Sequence, residues 1–114
     1  MNPSYLYRAK VLSNYDGDTI TVKIDLGFTT YVKQQLRLAR IDTPELRGEE
    51  KAQGQMVRDY VRELIGGKEV YIKTEKDKTG KYGRYIADVF FEDAGEWINL
   101  NDHLLAIGFA EPYN

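Results

Sequence analysis

Three short stretches hold residues whose types and spacing could do chemistry. Asp16-Gly17-Asp18-Thr19 sets two carboxylates across a glycine, and Asp42-Thr43-Pro44-Glu45 sets two more behind Arg37 and Arg40. The third, running from Lys76 to Arg84, is a cationic segment with two glycines and four basic side chains. There is no cysteine, and the single histidine, His103, sits beside Leu104 and Leu105, so a zinc site of nitrogen or sulfur ligands lacks its donors. Any metal here is held by oxygen. Ca2+ suits such donors, since it takes six to eight oxygens, carbonyls and water included, in a tolerant geometry. Each stretch also has a plainer reading. Asp-Gly and Asp-Thr-Pro are common turn chemistry, and charges near turns are usually just solvated.

The elements that must position these residues follow from periodicity. Residues 5–12 and 20–26 are expected strands, the second alternating through Thr21-Val22-Lys23-Ile24-Asp25-Leu26, with residues 14–18 as the turn between them. After a turn at Leu26-Gly27-Phe28, a third strand is expected over 29–41, giving a meander. Its end carries Arg37, Arg40, Asp42 and Glu45 as one charge cluster, because Pro44 bars further pairing. Ala52, Met56, Val57, Tyr60, Val61, Leu64 and Ile65 then recur at helical spacing. Glu49 and Glu50 suit the positive end of that helix and Gly66-Gly67 its stop, with Met56 and Tyr60 read as core. A fourth strand over 68–75, a fifth over 85–91 and a short helix over 101–107, capped by Asn101 and stopped at Gly108, complete the chain. The expected fold is α+β and mainly β. It is a five-stranded OB-type Greek-key barrel in one domain spanning 1–114, with one long helix between strands 3 and 4 and a short C-terminal helix.

A length of 114 residues provides for one core and not two. The apolar fraction of 42%, with nine Tyr and four Phe, supports a globular chain, and no stretch is long and apolar enough to span a membrane. With no basic and then apolar leader at the start, a cytoplasmic location is expected unless a leader has been removed. A monomer is the default expectation. The net charge of −2, from 16 basic and 18 acidic side chains, argues against a nucleic-acid coat protein. A basic cleft can still coexist with an acidic total, because charge is screened beyond about 8 Å at physiological salt.

Asp16-Gly17-Asp18-Thr19, Arg37 through Glu45 and Lys81-Tyr82-Gly83-Arg84 occur in one order with the helix between the second and third, and an Asn, Leu and Gly-Phe-Ala pattern follows from Asn101 to Ala110. In this combination the sequence resembles the staphylococcal (micrococcal) nuclease, or thermonuclease-like, family from about Tyr7 to Ala110. The resemblance implies a Ca2+-dependent nuclease that cleaves DNA and/or RNA to 3'-phosphate and 5'-hydroxyl ends. It makes Asp18 and Asp42 the Ca2+-binding carboxylates and gives the Thr43 carbonyl as a third protein ligand. Glu45 becomes the residue that positions or activates water. Arg37 and Arg84 become the arginines on the scissile phosphate, and Lys81 and Tyr82 contact a terminal phosphate of the bound nucleotide.

The family's physical chemistry is consistent with those residue types. A cation and two guanidinium forks offset the charge that builds on a pentacovalent phosphorus. The segment from Leu46 to Lys51 is shorter than the matching loop of the best-known member, Gly80 replaces an acid, and the whole chain is acidic where that enzyme is basic. The tail aligns poorly, leaving Tyr113 as the candidate base-stacking residue, with an exposed terminal aromatic as the plain reading. Phe90, Phe91 and Trp97 read as barrel core, and His103 as a packing or helix-surface residue. Two other readings stand beside the nuclease: a catalytically inactive OB-fold module that binds nucleic acid or protein, and an unrelated barrel scaffold with incidental turn acids.

Overall fold

The computed structural model describes residues 6–79 and 85–113. Strands β1 (Leu6–Asn14), β2 (Thr19–Asp25) and β3 (Tyr31–Leu38) form the expected antiparallel meander. After a two-residue strand β4 (Ile41–Asp42), helix α1 (Lys51–Ile65) leads to β5 (Glu69–Thr79) and β6 (Tyr85–Asp93). A short strand β7 (Glu96–Asn99), helix α2 (Leu100–Ala106) and strand β8 (Glu111–Pro112) follow. The sheet order is β3-β2-β1-β5-β6-β7, and a parallel pairing of β3 with β6 closes the first five into a barrel. This is the expected OB-type barrel, with the long helix between its third and fourth strands.

Alternation fills it. Ile20, Val22, Leu36, Leu38, Ile72 and Val89 point inward and are fully buried, and α1 lays Val57, Val61 and Ile65 against them. Met56, expected in that core, is instead exposed; the buried stripe runs through Gly54, Val57, Val61 and Ile65. Tyr60 is half-buried and bonds His103, Oη to Nε2 at 2.6 Å, so the histidine is a packing residue as expected. The helix ends at Gly66-Gly67, where Gly67 adopts φ +72.

The sequence places several features differently from the structure. The third strand does not run through to Ile41: it stops at Leu38, and a turn at Ala39-Arg40, with Arg40 at φ +66, redirects the chain into β4. That turn sends Arg40 away from Asp42 and Glu45 to ion pairs with Asp88 and Asp102. Strand β7 was not expected, and its Trp97 lies half-exposed with its edge on Tyr71, the ring centroids 4.8 Å apart, rather than in the core. Asn101 is not the cap of α2. Asn99 is, accepting from the Asp102 amide, while Asn101 is fully buried and ties β6 to the turn that follows β3. Its Nδ2 donates to the Ala39 and Ala87 carbonyls at 2.9 and 3.1 Å, and its Oδ1 accepts from the Val89 amide at 3.1 Å. Such a satisfied buried amide stabilises one arrangement of the closing strands.

Candidate functional site

The site lies at the end of the barrel where β2 begins and β3 finishes. Asp18 precedes β2 and is 5% exposed. Its position is fixed from three sides. Its backbone carbonyl accepts from the Leu38 amide at 2.8 Å, its amide donates to Asp16 Oδ1 at 3.1 Å, and its Oδ2 accepts from the Thr43 amide at 3.0 Å. The last bond folds the 42–45 loop over the 16–18 turn, so two segments far apart in sequence meet through one carboxylate.

Arg37, opposite Thr19 in the β2–β3 ladder, is the cation of this corner among the described residues. Its Nη1 donates to the Leu38 and Ile41 carbonyls at 3.0 and 2.9 Å, which holds the fork rigidly. Its Nη2 faces both acids, 3.6 Å from Asp18 Oδ2 and 3.4 Å from Asp42 Oδ1. Tyr113 covers the guanidinium with its ring centroid 5.0 Å from Cζ, a cation–π arrangement. The tail reaches this point because β8 pairs with β4 and the Tyr113 amide donates to the Arg40 carbonyl at 2.9 Å.

Among the described residues, negative charge exceeds positive in this corner. Burial, and then the neighbouring Asp18 charge, raise the Asp42 pKa, with Arg37 pulling the other way and Glu45 and Glu50 adding to the rise. Asp16 is pushed up to about 7 by burial and by its hydrogen bond and proximity to Asp18. A corner that disfavours its own ionisation, built only of oxygen donors, has the chemistry that a hard cation would satisfy. Thr43 is also buried, and its Oγ1 finds no partner among the described residues. No three acidic or histidine side chains converge as a metal cluster among the described residues. The oxygen donors that the corner does hold are the Asp18 and Asp42 carboxylates, both facing Arg37 Nη2, and the buried Thr43 hydroxyl.

The structure thus brings together Asp18, Arg37, Asp42, Thr43 and Tyr113. Glu45 sits on the same loop, exposed, its amide bonded to Glu50 Oε1 at 3.2 Å and its charge close enough to raise Asp42. Arg84, Lys81 and Tyr82 lie outside the described residues.

Asn14 and Gly54, not singled out from the sequence, are positioning residues, as is Gly17 of the Asp16-Gly17-Asp18 turn. Asn14, buried, donates through Nδ2 to the Asp16 and Arg58 carbonyls, pinning the Asp16 turn to α1. A Cβ on Gly17 would lie 2.6 Å from Val57 Cγ1, and one on Gly54 would lie 2.1 Å from the Glu45 carbonyl oxygen. Both glycines let the chain pack closely behind the site. A glycine inside a helix is costly enough to signal such an approach, so Gly54 could have been found.

Residues 35–114 match the family described as staphylococcal nuclease homologue. An uncharacterized protein of Methanocaldococcus jannaschii is 28% identical over 128 residues, an alignment covering 94% of this chain and 59% of that protein. The chain therefore spans under two thirds of that relative's length. Among solved structures, the human TDRD1 extended Tudor domain in complex with a symmetrically dimethylated peptide is similar, with a TM-score of 0.49 and 16% identity over 94% of this chain and 58% of that one. The family match takes in Arg37, the 42–45 loop, α1 and the cationic segment, so on sequence and barrel together this chain belongs to the staphylococcal nuclease homologue family.

Proposed function

We propose that the protein is a Ca2+-dependent nuclease that hydrolyses phosphodiester bonds of DNA and/or RNA, acting as a monomeric single domain. The observation that carries this reading is Arg37 held rigidly between the buried Asp18 and the exposed Asp42, in a family to which the chain belongs. A Ca2+ ion would be held by Asp18, Asp42 and the Thr43 carbonyl, and would supply Lewis-acid neutralisation of charge on the phosphate.

The chain's own residues do the rest. Arg37 offers a planar donor pair to equatorial oxygens, and Arg84 is its proposed counterpart across the phosphate. Glu45, exposed and unpaired in side chain among the described residues, orients or deprotonates the attacking water. The water oxygen bonds to phosphorus, the bond to the 5'-oxygen breaks, and a proton passes to the leaving oxygen, leaving a 3'-phosphate and a 5'-hydroxyl. Lys81 and Tyr82 would hold a terminal phosphate, and Tyr113, already stacked on Arg37, would meet a base.

A second reading, a binding module without catalysis, draws on one observation: all of Arg37's described hydrogen bonds and ion pairs are internal, to two carbonyls and two carboxylates. Cleavage of labelled single-stranded DNA and RNA with Ca2+, with Mg2+ and with chelator separates the two. Ca2+-dependent cleavage lost in Glu45→Ser and Arg84→Ala supports the nuclease. Binding by the folded wild type without cutting under any metal supports the module.

A further inference from the structure

We propose that the outer face of β1, β2 and β3 is a track for a single-stranded polynucleotide, continuous with Arg37; only the chemistry at its end rests on the nuclease reading. Lys10 pairs directly with Lys23 across β1–β2, and Lys23 with Lys33 across β2–β3. All three are exposed and point outward, since Ala9, Val11, Val22, Ile24 and Leu36 on the same strands are buried. Directly opposed side chains in an antiparallel sheet have Cβ atoms about 5 Å apart, and like charges so placed repel. None of the three makes an ion pair with a described carboxylate. Glu69 on β5, opposite Lys10, and the Tyr31 ring beneath Lys23 offset the row at its edges, but nothing on these strands offsets Lys33 against Lys23, and a polyanion laid along the row would do so.

The row is aligned with the site. On β3 the outward residues are Arg37, Gln35 and Lys33, so Lys33 lies four residues, about 13 Å, along the strand from Arg37. Between them runs a neutral, hydrogen-bonding row, Ser13, Thr21 and Gln35, in register across all three strands. No carboxylate interrupts the two rows on these strands. Beyond them Tyr31 lies half-exposed with the Lys23 ammonium 4.4 Å from its ring centroid, offering a stacking platform where the cationic row ends. Asp25, opposite Tyr31, and Glu69, opposite Lys10, bound the strip. The face thus reads phosphates, not sequence.

The test is anisotropy of labelled oligothymidylates of four, eight and sixteen nucleotides, in chelator so that nothing is cut, across a salt series. The wild type is expected to bind eight nucleotides more tightly than four. The Lys10→Gln/Lys23→Gln/Lys33→Gln variant should lose that gain, and its log–log salt slope should flatten by about 2, at roughly 0.7 per lost phosphate contact on a single strand. Lys73→Gln, on β5 outside the track, should keep both. Thermal melting of the triple variant at or above the wild-type temperature shows it folded, as relief of repulsion predicts. A folded triple variant with the wild-type slope and length dependence overturns the track, as does an equal loss per charge from Lys73→Gln. In a parallel run with Ca2+ in place of chelator, absent cleavage with the slope effect intact would overturn only the nuclease reading, and cleavage with an unchanged slope only the track.

Discussion

Gly54→Ala puts the placement of the site to a quantitative test. Gly54 lies in the first turns of α1, where alanine normally stabilises a helix by about 1 kcal/mol over glycine. Here the added Cβ would stand 2.1 Å from the Glu45 carbonyl oxygen, 2.7 Å from its carbon and 2.9 Å from the Pro44 oxygen. These are backbone atoms, so no side chain can swing away. The loop must retreat by about 1.5 Å to reach ordinary contact distance. Overpacking of that kind costs about 1–3 kcal/mol, so after the propensity gain the protein should lose up to about 2 kcal/mol. The larger effect falls on function. The same loop carries Asp42, Thr43 and Glu45, to which the nuclease proposal gives the metal and the water, and on that proposal a misplacement by about 1 Å costs about 10^2 in rate. Thermal melting and initial rates of oligonucleotide cleavage should therefore move together, with activity falling far more than the small drop in Tm explains. A variant that melts several degrees higher and cleaves as the wild type would refute the close approach of loop to helix, and with it the account of how Glu45 is placed.

Other consequences are equally open to measurement. Asn101→Ala should leave the Val89 amide and Ala39 carbonyl without the Asn101 side chain, costing about 3 kcal/mol and on the order of 10 °C in Tm; a shift under about 2 °C would contradict its bridging role. Ca2+ at about 100 times its Kd should stabilise the wild type by about 2.7 kcal/mol in denaturant titrations, and Asp42→Asn should abolish that gain. Asp16 binds its proton more tightly when folded, at about 7 against 3.8. Its ionisation therefore opposes folding, and in chelator stability should fall as pH rises from about 4 through 7. Asp16→Asn keeps the oxygen that accepts from the Asp18 amide, and should flatten that slope in urea melts taken at about pH 5 and pH 8.

The barrel was legible because its signal is additive: alternation at residues 20–26 and helical recurrence through Val57, Val61 and Ile65 each state which face is buried. The acid-bearing turns were legible as chemistry, and the hydrogen bond from the Thr43 amide to Asp18 accounts for why those two turns belong together. What stayed hidden depends on neighbours distant in sequence. Arg40 adopts a left-handed conformation that its residue type does not favour, and its partners Asp88 and Asp102 lie more than forty positions away. Asn101 has the composition of a cap, and only the approach of Ala39, Ala87 and Val89 turns it inward. Met56 sits on the expected apolar stripe, yet the buried stripe runs through Gly54, where the Glu45 backbone packs against the helix.

The parallel seam between β3 and β6 bears on when the site comes into being. Leu36, Arg37 and Leu38 register with Tyr85, Ile86 and Ala87, residues almost fifty positions later, whereas β1, β2 and β3 join through local hairpins. Pairings that close long loops bear the larger entropic cost and form late in folding. Arg37 sits on that seam. A chain that has formed its meander but not its closure would hold Asp18 and Arg37 on neighbouring segments with nothing to fix β6 beside them. Competence at the site is thereby tied to completion of the whole barrel, and hydrogen exchange at the seam amides should report the same opening that silences the site.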